Sequence, residues 1–569
     1  MAGRSSVRWV AWAGLVLLGA GGTAWGAEPT APQFDTGDTA WMLTSTALVL
    51  MMTVPGLALF YGGLVRSKNV LSTLMHSFFC AGLISVTWVL FGYSLAFGPD
   101  KGGLIGGLSF VGLKGVLGTA NPLAPTIPAM LFVAYQATFA IITPALISGT
   151  FAERMRFPAF ALFMLLWSTV IYAPICHWVW GGGWIGAKVG ALDFAGGTVV
   201  HISSGISALV TALYLGKRFG HGHEPMPPHN LPFTVIGASL LWVGWFGFNA
   251  GSALGSNELA STAFVNTNTA AAAAALGWLL AEWFRAGKPT LLGAASGAVA
   301  GLVGITPAAG FVTPMASILI GAVAGVACYA ACSILKPRFG YDDALDVVGV
   351  HMVGGTLGAL LTGVFATALV NPAIPTLTLG LDGGLLYGAP GLLWKQLIGV
   401  VATYVFCGVG TLVLLVFVNA VTRVRAGQNE EIEGMDLSQH SERAYAIGGG
   451  ELVAYVGLKE PRPAVVPPTA ESRFAIALED IDLDRMTVRW RDLCQDKGTA
   501  PSDEFRAVYG NLGTIRGTEF RFRGGDRETM RRNLVKLFQP VSPGVRAEIR
   551  SGGVSASVSR PADVPATAM

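Results

Sequence analysis

Charged side chains are what this chain has least of. Only 12% of its 569 residues are Asp, Glu, Lys or Arg, against roughly 25% in soluble globular proteins. With so little charge and 52% hydrophobic residues, an ordinary water-soluble domain is excluded and a chain that lives in lipid is implied. The formal net charge of +3 leaves no basic footprint for nucleic acid, and in a membrane protein placement of charge matters more than its sum. Cysteine is also sparse. Five of the six (Cys80, Cys176, Cys328, Cys332, Cys407) lie in apolar stretches, where a thiol usually packs as a small apolar group. Cys328 and Cys332 share a helix face at i, i+4 and could pair or bind a metal, but the further Cys or His partners of a metal site are missing. No metal and no cofactor is expected, and nothing suggests an enzyme.

What is present is a series of apolar runs. The first 26 residues carry Arg4 and Arg8, the short run Trp9–Ala20, and small residues up to Ala27. They are expected to be a signal peptide (1–26) cut near Ala27; an uncleaved first helix is the alternative. Runs long enough to cross the ~30 Å hydrocarbon core follow near 40–64, 71–97, 127–150, 157–179, 198–215, 232–251, 262–284, 289–307, 312–335, 347–370 and 392–420. The expected fold is therefore an all-α membrane protein of eleven transmembrane helices within a membrane domain 27–425. Alternate connections hold Arg66 and Lys68, Arg154 and Arg156, Lys217 and Arg218, Arg285 and Lys288, Lys336 and Arg338, and Arg423 and Arg425. The opposite connections hold only Lys101, Lys114, Lys188 and Lys395. Twelve cations against four place the mature N-terminus outside and the C-terminus in the cytoplasm, because short cytoplasmic loops collect Lys and Arg.

The run also repeats. Val200-His201 is followed by Gly205, and Val350-His351 by Gly355, each glycine four residues beyond the histidine. Five predicted spans end with the first copy and five more with the second, so the halves insert with opposite orientation. An inverted five-plus-five repeat plus a final helix results, which brings equivalent residues together at the bilayer midplane. His201 and His351 are expected to face one another there. Either histidine alone would ordinarily be read as helix packing; a matched pair inside apolar spans marks a substrate or proton path. A neutral imidazole donates on one nitrogen and accepts on the other, so two of them make a polar ladder for a small amine. His76 and His177, near the ends of their spans, are better suited to surface or packing roles. Asp193, just before the His201 helix, is expected to cap that helix through backbone N–H groups. Trp180, Trp184, Trp242, Trp245, Phe246 and Phe248 suit an interfacial aromatic belt, although such faces can also hold a small cation. Glycine and proline at Val54-Pro55-Gly56 and Thr143-Pro144 predict interrupted helices. His221, His223 and His229 suit a solvated loop better than a metal cage, because glycine and several prolines surround them.

At these residues the chain resembles the Amt/Mep/Rh family of ammonium transporters, in its bacterial Amt branch. The segment Asp193–His201 running on to Gly216-Lys217-Arg218 is similar to the family's signature. So are Pro55–Gly63, Ala152-Glu153-Arg154, Gly244–Ser252 and Asp346–His351, within a resemblance from about 36 to 447. The resemblance implies a homotrimer in the bacterial inner membrane with a pore in each subunit. It implies that Trp180, Phe139 and Ser252 recruit ammonium, that Phe139 and Phe248 gate the pore, that His201 and His351 are twin pore histidines, and that Asp193 is structural. Ammonium would be deprotonated and ammonia conducted, the proton being relayed separately. Tyr135 stands where some relatives have phenylalanine. The tail 426–447 resembles the regulatory segment through which PII signalling proteins close such channels, with Ser441 in place of a common glycine.

Beyond residue 448 the composition changes. A linker (448–471) is expected to lead into a small α+β module (472–550), with strand-like alternation at Arg473–Leu478 and an amphipathic helix at 526–538, and then a disordered tail (551–569). A sensor that reports through this extension is the rival reading to a transporter. A Rh-like gas channel is a weaker third, since a neutral gas gains nothing from cation–π recruitment at Trp180.

Overall fold

A computed structural model describes residues 33–445 and, beyond them, five short strands between Thr487 and Ser559. The expected signal segment 1–26, the linker 448–471, the alternating stretch at Arg473–Leu478 and the helix at 526–538 lie outside the described residues. The chain divides into two units, Met1–Tyr455 and Val456–Met569.

The first unit is a helix bundle. Its long helices are α1 (Thr36–Leu64), α2 (Ser67–Phe97), α3 (Ala129–Phe151), α4 (Phe157–Val179), α5 (Gly197–Leu215) and α6 (Leu231–Ala253). They are followed by α7 (Glu258–Ala286), α8 (Leu291–Ile305), α9 (Pro314–Phe339), α10 (Val348–Phe365) and α11 (Gly391–Val421). Among the described residues nine of these are long and apolar enough to cross a membrane. The other two, α7 and α8, stand where spans are expected at 262–284 and 289–307. At 15 residues α8 is short, and α7 is diluted by Asn and Thr. Their amide and hydroxyl groups bond across the bundle: Asn266 Nδ2 donates to the carbonyls of Ala309 and Val312 at 2.8 and 2.7 Å, and Asn249 Nδ2 to Thr267 Oγ1 at 3.0 Å. Such bonds, with close backbone approach at small residues, hold helices together in lipid. A Cβ on Gly321 or Gly325 would lie 2.2 Å from the carbonyl oxygen of Ala270 or Ala274, so α9 rides directly on α7.

Helix starts carry side-chain caps where the sequence offers them. Asp35, Asn230, Asn257 and Thr290 accept N–H bonds two or three residues into α1, α6, α7 and α8, each satisfying one of the first-turn donors. The breaks predicted at proline divide. Pro55 sits in a π-helical turn, Met52–Leu57, whereas α3 runs on through Pro144. A proline there removes one N–H and one helical bond, and the packed neighbours hold the helix across the gap.

At one end of the bundle the links between helices form two hairpins, β1 (Asp100–Lys101) with β2 (Ile105–Gly106) and β3 (Ala120–Asn121) with β4 (Ala124–Pro128). This is the aromatic end, which holds Trp180. At the opposite, charged end, two short helices, α12 (Gln428–Glu433) and α13 (Met435–His440), close the unit.

The second unit contains an antiparallel sheet of β5 (Thr487–Arg489), β6 (Gly513–Arg516), β7 (Glu519–Phe522), β8 (Arg546–Ser551) and β9 (Val554–Ser559), in the order β6-β7-β5-β8-β9. β9 falls within the stretch 551–569 expected to be a disordered tail. Val554, Ala556 and Val558 alternate with Ser555, Ser557 and Ser559, a period-two pattern that low overall hydrophobicity hid.

Candidate functional site

Two segments converge at the middle of the bundle. The first turns of α5 (Gly197–Ile202) and α10 (Val348–Met352) are π-helical, and each carries a histidine. Wide turns of this kind are rare and often mark functional sites. His201 and His351 are buried, with Nδ1 atoms 3.2 Å apart and ring centroids 5.3 Å apart. The glycines that follow make this meeting possible. A Cβ on Gly205 would fall 2.3 Å from the backbone nitrogen of Met352, and one on Gly355 2.9 Å from His201 Cβ. Each glycine thus admits the other copy's histidine segment.

Two aspartates set these turns. Asp193 accepts N–H bonds from Gly196, Gly197, Thr198 and Val199 at 2.7–3.2 Å, the capping role expected of it. Burial raises its carboxyl pKa, an effect those four donors oppose. Asp343 stands eight residues before His351, as Asp193 does before His201. It accepts the Val348 N–H and the Thr150 hydroxyl, both at 2.7 Å. The sequence reading missed Asp343, although the repeated Asp-to-His spacing was there to find it.

Above the histidines runs a column of rings. Phe248 lies 6.0 Å from His201, Phe139 stacks on Phe248 at 4.4 Å between centroids, and Trp180 meets Phe139 edge-on at 5.7 Å. Trp180 is held by its indole N–H, which donates to the carbonyl of Asp193 at 2.9 Å. Ser252 joins through Tyr135, whose hydroxyl lies 3.2 Å from Ser252 Oγ and 2.9 Å from the carbonyls of both Gly247 and Phe248. The extra hydroxyl at Tyr135 is therefore spent on pinning the end of α6. Trp245 departs from the interfacial role expected of it. It is buried, stacks on His201 at 5.5 Å and donates its indole N–H to Thr306 at 2.9 Å.

A narrow enclosed cavity of about 10 Å³ lies among His201, His351, Trp245, Phe248, Phe60 and Leu146, room for about one water-sized guest. Its walls are apolar apart from the two imidazoles. Nε2 of His201 is buried without a hydrogen-bond partner, a donor or acceptor left free for such a guest.

The remaining candidates fall elsewhere. His76 is buried against Phe160 and Phe151, at 4.3 and 5.7 Å, with both ring nitrogens unpartnered, so it packs rather than meeting the surface. His177 is likewise fully buried, between Ala96 and Asp100. Cys328 and Cys332 are free buried thiols. The loop histidines are dispersed, His221 toward Asp342 and His229 toward Tyr445, and no group of three or more His, Cys, Asp or Glu suited to a metal occurs among the described residues.

The charged end is closed by ion pairs. The Glu153 carboxylate accepts from Arg66, Asn69 and Arg218, and that of Asp342 from Arg218, with Arg154 at 3.7 Å from it and donating to the Asp342 backbone carbonyl. Burial raises both carboxyl pKa values, but the arginines outweigh it and hold them below the ordinary range. Burial also brings the Arg154 guanidinium down to about 10. The tail docks here. Lys68 Nζ donates to the carbonyls of Glu431 and Ile432 at 2.8 and 2.6 Å, and the Asp436 carboxylate accepts the Ser72 N–H at 2.8 Å.

Comparison with known proteins agrees with this architecture. Residues 40–445 match the Ammonium Transporter Family. The chain is 56% identical over 409 residues to the ammonium transporter of Bacillus subtilis, covering 72% of this chain and 98% of that protein. Its fold is similar to the crystal structure of Candida albicans Mep2 (TM-score 0.66, 40% identity, 72% and 91% of the two chains). It is also similar to a sensor Amt protein (TM-score 0.65, 25% identity, 71% and 98%). With most of its length matched at this identity, the chain belongs to the ammonium transporter family, membrane-spanning proteins that carry ammonium and are not enzymes.

Proposed function

We propose that the protein recruits ammonium at Trp180, Phe139 and Ser252, removes a proton, and passes ammonia between Phe139 and Phe248 to a path lined by His201 and His351. The observation that carries this reading is the ring column standing over two contacting imidazoles in an otherwise apolar cavity. A desolvated cation gains on the order of 2 kcal/mol over an indole face. A bare ammonium ion in an apolar tube would lose far more in hydration, which favours leaving the proton behind. The imidazoles then serve a neutral amine as donor and acceptor, and the free His201 Nε2 is the contact such a guest would use. The proton is relayed separately.

The proposal includes eleven spans arranged as the inverted repeat, a homotrimer as the family resemblance implies, and a bacterial inner-membrane location. The Lys and Arg bias puts the aromatic end outside. A PII-type protein is the proposed partner of the docked tail at the charged, cytoplasmic end. Purified protein in lipid vesicles should give an ammonium-dependent current or pH change that falls sharply in Trp180→Ala and Phe139→Ala. His201→Ala or His351→Ala should alter ion selectivity. Vesicles that show neither current nor pH change would overturn the transport reading.

A second reading, an ammonium sensor, is favoured by one observation: the chain extends some way past the matched residues 40–445 into a separate unit. Removal of residues 460–569 separates the two. A transporter keeps its flux, whereas a sensor loses its output.

A further inference from the structure

One buried histidine at the aromatic end takes no part in the steps above. His177 ends the last turn of α4 with its side chain wholly shielded from solvent. Its Nδ1 lies 2.9 Å from the Ala96 carbonyl oxygen, and its Nε2 3.0 Å from Oδ1 of Asp100. A backbone carbonyl only accepts, and so does an ionised carboxylate. A neutral imidazole carries one N–H and can serve only one of these oxygens, leaving a nitrogen lone pair facing the other. The arrangement is fully satisfied when the pair holds one further proton, with both ring nitrogens donating and Asp100 ionised.

The pair ties two loops together. Asp100 Oδ1 also accepts the Gly103 N–H at 2.7 Å. The backbone carbonyl of His177 accepts the N–H groups of Gly181 and Gly183 at 3.1 and 2.8 Å, which sets the turn that begins at Trp180. Gly181 sits directly over the imidazole: a Cβ there would lie 2.0 Å from the Ala96 oxygen and 2.7 Å from His177 Nδ1. Asp100, Trp180 and Gly181 line one cavity of about 370 Å³ at this end of the bundle. The segments packed against this end of α4 are Tyr93–Phe97, Ile105–Gly106, Ser168–Tyr172, Ile185–Val189 and Gly197–Ile202. Their titratable side chains are Tyr93, Tyr172, Lys188 and His201. Of these Lys188 acts on Asp100, and after the hydrogen bond from His177 it helps hold that carboxyl below its ordinary range.

We propose that His177 and Asp100 form a proton-dependent brace that positions the Trp180 turn, so that ammonium recruitment depends on pH on the side Trp180 faces. The two are positioning residues, and the proposal rests on the recruiting role given above to Trp180. Loss of the proton leaves His177 able to donate to only one of the two oxygens, so the tie between its turn and the loop that holds Asp100 is weakened.

The test uses the full-length protein in vesicles, with ammonium-triggered current measured while pH on the aromatic side is stepped between roughly 5 and 8. Nearly all the substrate stays protonated over that range. Apparent ammonium affinity of the unaltered protein should weaken on the order of tenfold as pH rises, the worth of one charge-assisted hydrogen bond. In Asp100→Asn the amide N–H can donate to a neutral Nε2, so the brace needs no extra proton and the affinity should stay high throughout. Asp100→Ala should be weak at every pH. An Asp100→Asn profile that follows the unaltered protein, or Asp100→Ala behaving as the unaltered protein does, overturns the proposal. A direct readout keeps it separate from the recruitment reading. Nitrogen-15 histidine resonances, with His177 assigned by their loss in His177→Gln, should show two protonated ring nitrogens near pH 5 in the unaltered protein and one in Asp100→Asn. One protonated nitrogen in both defeats the brace. Unchanged affinity in Trp180→Ala defeats the recruitment reading instead.

Discussion

At Gly197–Ile202 and at Val348–Met352 the chain builds the same device twice: a π-helical turn, a histidine within it, an aspartate eight residues earlier and a glycine four residues later. The surroundings differ. Asp193 gives its whole carboxylate to four backbone donors beneath Trp180. Asp343 shares its own between one backbone donor and Thr150, beside the ion pairs of Asp342 and Glu153. The repeat therefore supplies a symmetric scaffold at the centre, while the two ends of the bundle, one aromatic and one ionic, differ in chemistry. Symmetry was kept where two identical rings must meet and lost where the ends face different tasks.

The sharpest way to break this comparison is to remove the two caps in turn. Asp193→Ala strands four backbone N–H groups in a buried turn and should cost roughly 4 kcal/mol or more, whereas Asp343→Ala strands one and frees a hydroxyl, about 2 kcal/mol. Thermal unfolding of both variants in detergent measures the difference, and equal losses would refute the asymmetry. Next come the glycines. Gly205→Ala drives a methyl to within 2.3 Å of the Met352 backbone, which cannot yield, while Gly355→Ala meets the Cβ of His201 at 2.9 Å and the Gly197 carbonyl oxygen at 3.1 Å, a milder crowding. The first should cost about 3 kcal/mol and the second nearer 1, within the usual range for overpacking. A transport assay should rank the two variants in the same order.

The ionic end gives a pH prediction with a defined sign. Glu153 and Asp342 have carboxyl pKa values below their unfolded ones. Their contribution to stability is present above about pH 4, the ordinary carboxylate range, and is lost as pH falls from there toward the depressed folded values. Melting temperature should drop over that acid window, and Glu153→Gln should start lower and drop less. A Glu153→Gln curve parallel to that of the unaltered protein would remove Glu153 from the account. The smallest effect belongs to Tyr135→Phe. The ring and its contact with Phe139 stay, but the hydroxyl that pins Gly247, Phe248 and Ser252 is lost, about 1 kcal/mol. Ammonium flux should fall by less than tenfold, and a complete loss would mean that the hydroxyl handles substrate itself.

Much of this was legible beforehand. Nine of the expected spans are apolar enough to announce themselves, and the matched histidines pointed to each other across the chain. Where two spans announce themselves less clearly the causes differ: α8 is only 15 residues long, whereas in α7 Asn266 and Thr267 lower the average because they bond across helices. Trp245 was misassigned because a tryptophan stacked on a histidine and one in an interfacial belt have the same local sequence. Asp343 was passed over because it lies beside other acids, Asp342 and Asp346, and only its partners separate it from them.

The sequence by itself determined the helical membrane architecture, the sidedness of charge and the pairing of His201 with His351, since apolar length, loop charge and repeat spacing are properties of the chain alone. Only the tertiary structure decided that the two imidazoles touch, that Tyr135 is spent on α6, and that His177 lies between two oxygens. Those facts depend on distances between residues tens or hundreds of positions apart, which packing sets and local pattern cannot carry.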